Sequence, residues 1–213
     1  MDRAPGAFFF SLAAIACLAF SLTSVWFEAQ HTSGRNTPPQ GLQDPSDTGV
    51  DKQTLSDKPG ERTGDAQPAD PAGHDFWLKV IWWLLVAGIG LSALVVLGEL
   101  PGIRRVLVRP AVMSIAALAT LCCVAAALAG WFQLPATMGI GSSPFAATYS
   151  QADNYWRTNL AIGWYGPVVA APLLVSAFLS KYQAGTTDPD IVLEFARKIR
   201  TDQPKASKAE AKP

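Results

Sequence analysis

Apolar and polar positions in this chain separate into long blocks. Four blocks, at residues 7–27, 76–98, 110–132 and 158–180, are apolar and carry no charge at their centres. A helix needs roughly 20 such residues to cross the hydrocarbon core of a bilayer. The pattern therefore predicts an all-α polytopic membrane protein with four transmembrane helices. Residues 28–75 contain hardly any large apolar side chains, but six prolines and six glycines among scattered aspartates. That composition buries too little apolar surface to offset chain entropy. A disordered outer linker is expected there, acting either as a tether that folds on a partner or as a permissive insertion.

Four regions follow from this pattern: residues 1–27 as an N-terminal tail and first span, 28–75 as linker, 76–180 as a three-helix membrane region, and 181–213 as a basic tail. Within the tail, Asp188 and Pro189 suit a helix start. Ile191, Val192, Phe195 and Ile199 then recur at helical spacing, with Arg197, Lys198 and Arg200 close by. A short cytoplasmic amphipathic helix at 189–200 is expected, with Ile191, Phe195, Arg197, Lys198 and Arg200 touching anionic headgroups or a protein partner.

The spans differ in texture. Gly88 and Ser92 form a small-x-x-x-small pair in the second. Ala119, Cys123 and Ala127 make a stripe along the third, with Cys122, Ala126 and Gly130 beside it. Small side chains let helix backbones approach closely in lipid, so Gly88, Ser92, Ala119, Cys123 and Ala127 are candidate packing residues. Phe76, Trp77, Trp82 and Trp83 suit an interfacial belt. Lys79 nearby can snorkel to the headgroups, or pair with Asp75 or Asp153. In the fourth span Pro167 and Pro172 each remove an amide donor and clash with the carbonyl four residues earlier, which predicts a kink or break. Arg157, Asn159, Trp164, Tyr165, Gly166 and Pro167 are therefore candidates for a cavity or ligand site, since freed backbone groups in a span must face protein or water. Between the third and fourth spans, Gly139 to Ser143 reads as a turn or as a backbone nest for an anion.

Net charge is zero, so the distribution of cations carries the information. Arg104, Arg105 and Arg109 follow the second span, and Lys181, Arg197, Lys198, Arg200, Lys205, Lys208 and Lys212 follow the fourth. Cations gather on the cytoplasmic side, which places both termini inside. Residues 28–75, with nine acidic residues against four Lys and Arg, then lie outside. A plasma membrane is expected, of the bacterial inner-membrane kind. The first span reads as a retained signal anchor. A cleaved signal peptide and a lipoprotein acylated at Cys17 are the alternatives.

Chemistry narrows the function classes mainly by what is missing. Haem between helices needs axial His or Met, and the two histidines, His31 and His74, fall in the linker. Cys17, Cys122 and Cys123 lie near mid-membrane, without Cys-x-x-Cys spacing, and read as small apolar residues. Tight-junction-like four-span proteins have a similar length, but their paired cysteines sit in the first outer loop, where this chain has none. No carboxylate lies deep in a span, as pumping would require, and no intramembrane base is available to a nucleophile. No catalytic, cofactor-binding or metal-binding residue is therefore expected, and nucleic acid is not an expected partner. The expectation is a non-enzymatic accessory or scaffold subunit of a larger secretion, conjugation, transport or respiratory assembly, whose partners are the lipid bilayer and other proteins. The alternative is a small-solute or lipid transporter with its cavity at the broken fourth helix.

Overall fold

The structure, a computed structural model, describes residues 5–33, 51–100, 109–139, 149–151 and 154–186. Four helices dominate it: α1 (Pro5–Thr23), α2 (Pro71–Gly98), α3 (Arg109–Thr137) and α4 (Tyr165–Thr186). Each contains a stretch long and apolar enough to cross a membrane, and the chain is a multi-pass membrane protein. Packing runs around a ring, α1 on α2, α2 on α3, α3 on α4 and α4 on α1.

Small residues set these contacts. A Cβ added at Gly88 of α2 would lie 3.3 Å from Leu18 Cδ1 of α1 and 3.8 Å from Cys123 Sγ of α3, so Gly88 sits where three helices meet. Ser92, one turn on, is buried and donates its hydroxyl to Gly88 O at 2.7 Å, which satisfies it without a neighbour. Along α3 the buried positions include Val112, Ala116, Ala119, Cys123, Ala126, Ala129 and Leu134, while Ala127 is half-buried at the edge of that stripe. On α4, Gly166 meets Ser21 Cβ and the Cys17 carbonyl oxygen of α1.

Beside the bundle lies a feature that an all-α expectation omits, a five-stranded antiparallel sheet. Its strands are β1 (Phe27–Ser33), β2 (Asp51–Lys58), β3 (Glu61–Gly64), β4 (Tyr149–Gln151) and β5 (Asn154–Leu160). The order is β3-β2-β1-β5-β4. Central β1 pairs with both connectors: Phe27 is opposite Asp57 on one side and Leu160 on the other, and Ala29 is opposite Leu55 and Thr158.

Described parts of the 28–75 segment are therefore strands, turns and the start of α2, not a disordered linker. The reason is visible in the burial. Phe27, Ala29, Leu55 and Ala66 alternate with polar neighbours and supply only one thin apolar face. The rest of the core comes from the bundle end, where Leu78, Ile81, Leu134 and Met138 join the same cluster. A compositional argument counts only what the segment itself can bury. Residues 34–50 and the 189–200 segment, with Ile191, Phe195, Arg197, Lys198 and Arg200, lie outside the described residues.

Helix limits also differ from the apolar blocks. The first block was expected to run to residue 27, but α1 stops at Thr23 and Trp26 turns the chain into β1. Its indole donates to Ser21 O at 2.8 Å and its amide to Asp57 O at 2.8 Å. Upstream of the second block, Asp70 accepts from Gly73 N at 3.0 Å with Pro71 in the first turn, so α2 begins five residues earlier than expected. Its 28 residues span about 42 Å, more than the roughly 30 Å hydrocarbon core. The first half-dozen residues of the fourth block belong to β5 and a 3-10 turn at Ile162–Trp164. Pro167 consequently sits in the first turn of α4, where an amide has no intrahelical acceptor to lose. Pro172 is the proline inside the helix.

Candidate functional site at the junction of sheet and bundle

Where the sheet meets the helices, polar side chains from three elements converge. Asp57 is near the end of β2, His74 is in the first turn of α2, and Thr137 is the last residue of α3. His74 Nε2 is 2.8 Å from Asp57 Oδ2 and His74 Nδ1 is 2.5 Å from Thr137 Oγ1. Both Asp57 and His74 are fully buried. Backbone bonds hold the three elements in register: Asp70 N donates to Thr137 O at 3.0 Å, and Gly60 N to Leu78 O at 3.0 Å. The hairpin turn at Pro59–Gly60 thus rests directly on α2.

Protons in this chain of contacts can be counted. Thr137 has one hydroxyl proton, and its oxygen lies 2.8 Å from Leu134 O, an acceptor only. With that proton committed, the tautomer that completes the contact has Nδ1 donating to Thr137 Oγ1, which leaves Nε2 facing Asp57 Oδ2. Asp57 Oδ1 and Arg62 Nη1, both buried, have no hydrogen-bond partner among the described residues. Arg62 Nε lies 3.8 Å from Asp75 Oδ1, in a partly exposed pair. Burial pushes the Asp57 carboxyl up from its ordinary value, against the opposing pull of His74 and Arg62; Asp75 adds to the rise.

The connectivity of carboxylate, imidazole and hydroxyl resembles that of an activated nucleophile. Here, however, the hydroxyl proton points to a carbonyl and the imidazole is buried. As arranged, the three residues tie strand to helices.

At the opposite end of the bundle, Lys181 of α4 pairs with Glu99 at the end of α2, their side chains 9% and 7% exposed.

The residues expected to form a cavity are dispersed. Asn159 and Arg157 are on β5, opposite Glu28 and Gln30 in register. Asn159 is exposed, and the Arg157 side chain lies outside the described residues. Trp164 donates its indole N–H to Ala127 O at 2.9 Å. Tyr165 is exposed, while Gly166 is buried against α1. Trp164 and Pro167 line a groove of about 360 Å³ between α3 and α4 with Val124, Leu128, Trp131 and Phe132. Its walls are almost wholly apolar. Lys79 is exposed, and no group of three or more potential metal ligands occurs among the described residues.

Sequence reasoning missed His74, which it assigned to the linker. Two signals could have found it. Asp70-Pro71 is a helix-start pair, and His74, Leu78, Ile81, Leu85, Gly88, Ser92 and Val95 form one stripe at alternating steps of four and three.

No protein-family model matches this chain, and no curated protein matches it.

Proposed function

We propose that this protein is a non-enzymatic accessory or scaffold subunit of a larger membrane assembly, and that the sheet is its docking platform on the non-cytoplasmic side. The observation that carries the reading is the central pairing of β1 with both β2 and β5, which joins two connectors separated by two spans into one body. A sheet rooted in this way presents a fixed surface above the membrane, as a recruiting subunit needs. Its exposed positions are polar: Glu28, Gln30, Thr54 and Asn159. Arg109 opens α3 and Lys181 pairs with Glu99 at the end of the bundle away from the sheet, and the further cations that follow α2 and α4 in the sequence support a cytoplasmic location for that end. A bacterial inner membrane is the setting we propose.

The test is crosslinking in native membranes, followed by pull-down and mass spectrometry. A stoichiometric complex is expected, with recovery lowered at least tenfold by the paired changes Glu28→Lys and Asn159→Lys on the exposed row. Recovery of the chain alone, as a stable monomer, would sink the proposal.

A second reading, a lipid-handling transporter, is favoured by the apolar groove beside Trp164 and Pro167. Its walls suit acyl chains better than a polar solute. Under that reading, Trp164→Ala would reduce capture of a photoreactive lipid and leave the recovered complex unchanged.

A further inference from the structure

We propose that Asp57 and His74 jointly hold one exchangeable proton at the sheet–bundle junction, and that its loss undocks the β2–β3 hairpin from α2. This inference goes beyond the scaffold role and does not rest on it.

The hydrogen-bond chain has a closed form only when that proton is present. Thr137 then donates to Leu134 O, Nδ1 donates to Thr137 Oγ1, and the shared proton joins Nε2 to Asp57 Oδ2. It does not matter which of the two holds the proton, because the pair is neutral in either case. Removing it leaves two arrangements. In one, the Nε2 lone pair faces a carboxylate oxygen, and the bond between β2 and α2 is gone. In the other, Nε2 keeps its proton and Thr137 turns its own to Nδ1, which deserts Leu134 O. Both leave a net negative charge in a fully buried site, where an uncompensated ion is costly.

The surrounding charges do not cancel that outcome. Arg62 on β3 attracts the Asp57 anion, but its Nε is also drawn to Asp75 on α2, whose own charge opposes ionisation. Asp70, at the start of α2, is occupied by Gly73 N. The end of α3, from Trp131 to Gly139, contains no charged residue. Asp57 Oδ1 already lacks a hydrogen-bond partner among the described residues, so full charge on this carboxyl is poorly served.

The sign follows from the raised carboxyl. A group whose native affinity for protons exceeds its unfolded affinity contributes stability that is complete on the acid side and lost as pH rises through its native value. The hairpin is therefore docked at low pH and released towards high pH. Its turn is the part freed, because beyond the ladder with β1 the hairpin is held by Asp57, by Gly60 N on Leu78 O, by the packing of Gly60 on Trp82, and by the partly exposed Arg62–Asp75 pair.

Amide hydrogen exchange on the full chain in lipid nanodiscs tests this, from about pH 4, the ordinary carboxyl value, up to about pH 9. Rates are divided by the unstructured-chain rate at each pH. In the wild type, protection over residues 53–64 is expected to fall about tenfold across the range, while the middle of α2 stays constant. Asp57→Asn mimics the protonated acid, since its amide can donate to Nε2 and leave Nδ1–H on Thr137, so its protection should not change with pH. Constant protection in the wild type, or an equal fall in Asp57→Asn, overturns the proposal. If Asp57→Asn does not fold, ¹⁵N-histidine spectra of the wild type decide instead. His74 Nδ1 should carry a proton in the docked state, and the ring shifts should change in step with hairpin protection. A bare Nδ1 in the docked state, or ring shifts that stay fixed while protection falls, equally overturns it.

Discussion

Buried ionic side chains are the residues whose removal costs most, and this chain places them at both ends of the bundle. Lys181 and Glu99 lock α4 to α2 at the end away from the sheet. Lys181→Ala leaves Glu99 buried with its partner gone, and thermal unfolding in detergent should show a loss of about 3 kcal/mol. Lys181→Met combined with Glu99→Met should restore most of that loss, since two apolar side chains of similar volume need no compensating charge. Both residues were legible in the sequence only as end-of-span charges, because helical phase, not position in the apolar block, decides what an end residue faces. His74 was hidden for a related reason. It stands outside the apolar block, yet continues the buried stripe of α2 by one more turn.

Helices and strands were unequally legible. Each of the four spans buries a face along its whole length and announces itself by composition. The strands could not do so, since β2 offers one large apolar side chain, Leu55, and relies on the bundle for the rest of its cover. A local signal did exist in Pro59-Gly60, where proline presets its own φ and Gly60 adopts φ +82°, the combination a type II turn asks for. Gly60→Val would need that unfavourable φ and would also drive a Cβ to 3.1 Å from Trp82 Cδ1. Stability should fall by about 1–3 kcal/mol, with amide exchange accelerated in the hairpin and unchanged in α3. The fourth span was misread for a different reason. Apolar strand residues beside a membrane are indistinguishable by composition from the start of a helix, so β5 was absorbed into the span.

Across the whole molecule, the connection between α2 and α3 joins two halves that are already bound to each other. The β1–β5 ladder, the α1–α4 contact and the α2–α3 contact all cross that division. Two chains divided within residues 101–108 should therefore assemble when co-expressed, and a tag on one half should recover the other in equal amount from solubilised membranes. Recovery of either half alone would show that chain continuity, not the interlocked sheet, holds the halves together. Both ends of the ladder are also rooted unequally. Strand β1 follows α1 through a short turn and β5 enters α4 through one, whereas β3 reaches α2 by way of Asp65 to Asp70. A mechanical load on the sheet thus arrives first at the α1–α4 seam, where the Ser21 hydroxyl grips Gly163 O at 2.7 Å. The relative tilt of those two helices becomes the coordinate through which a pull on one face of the membrane is felt on the other.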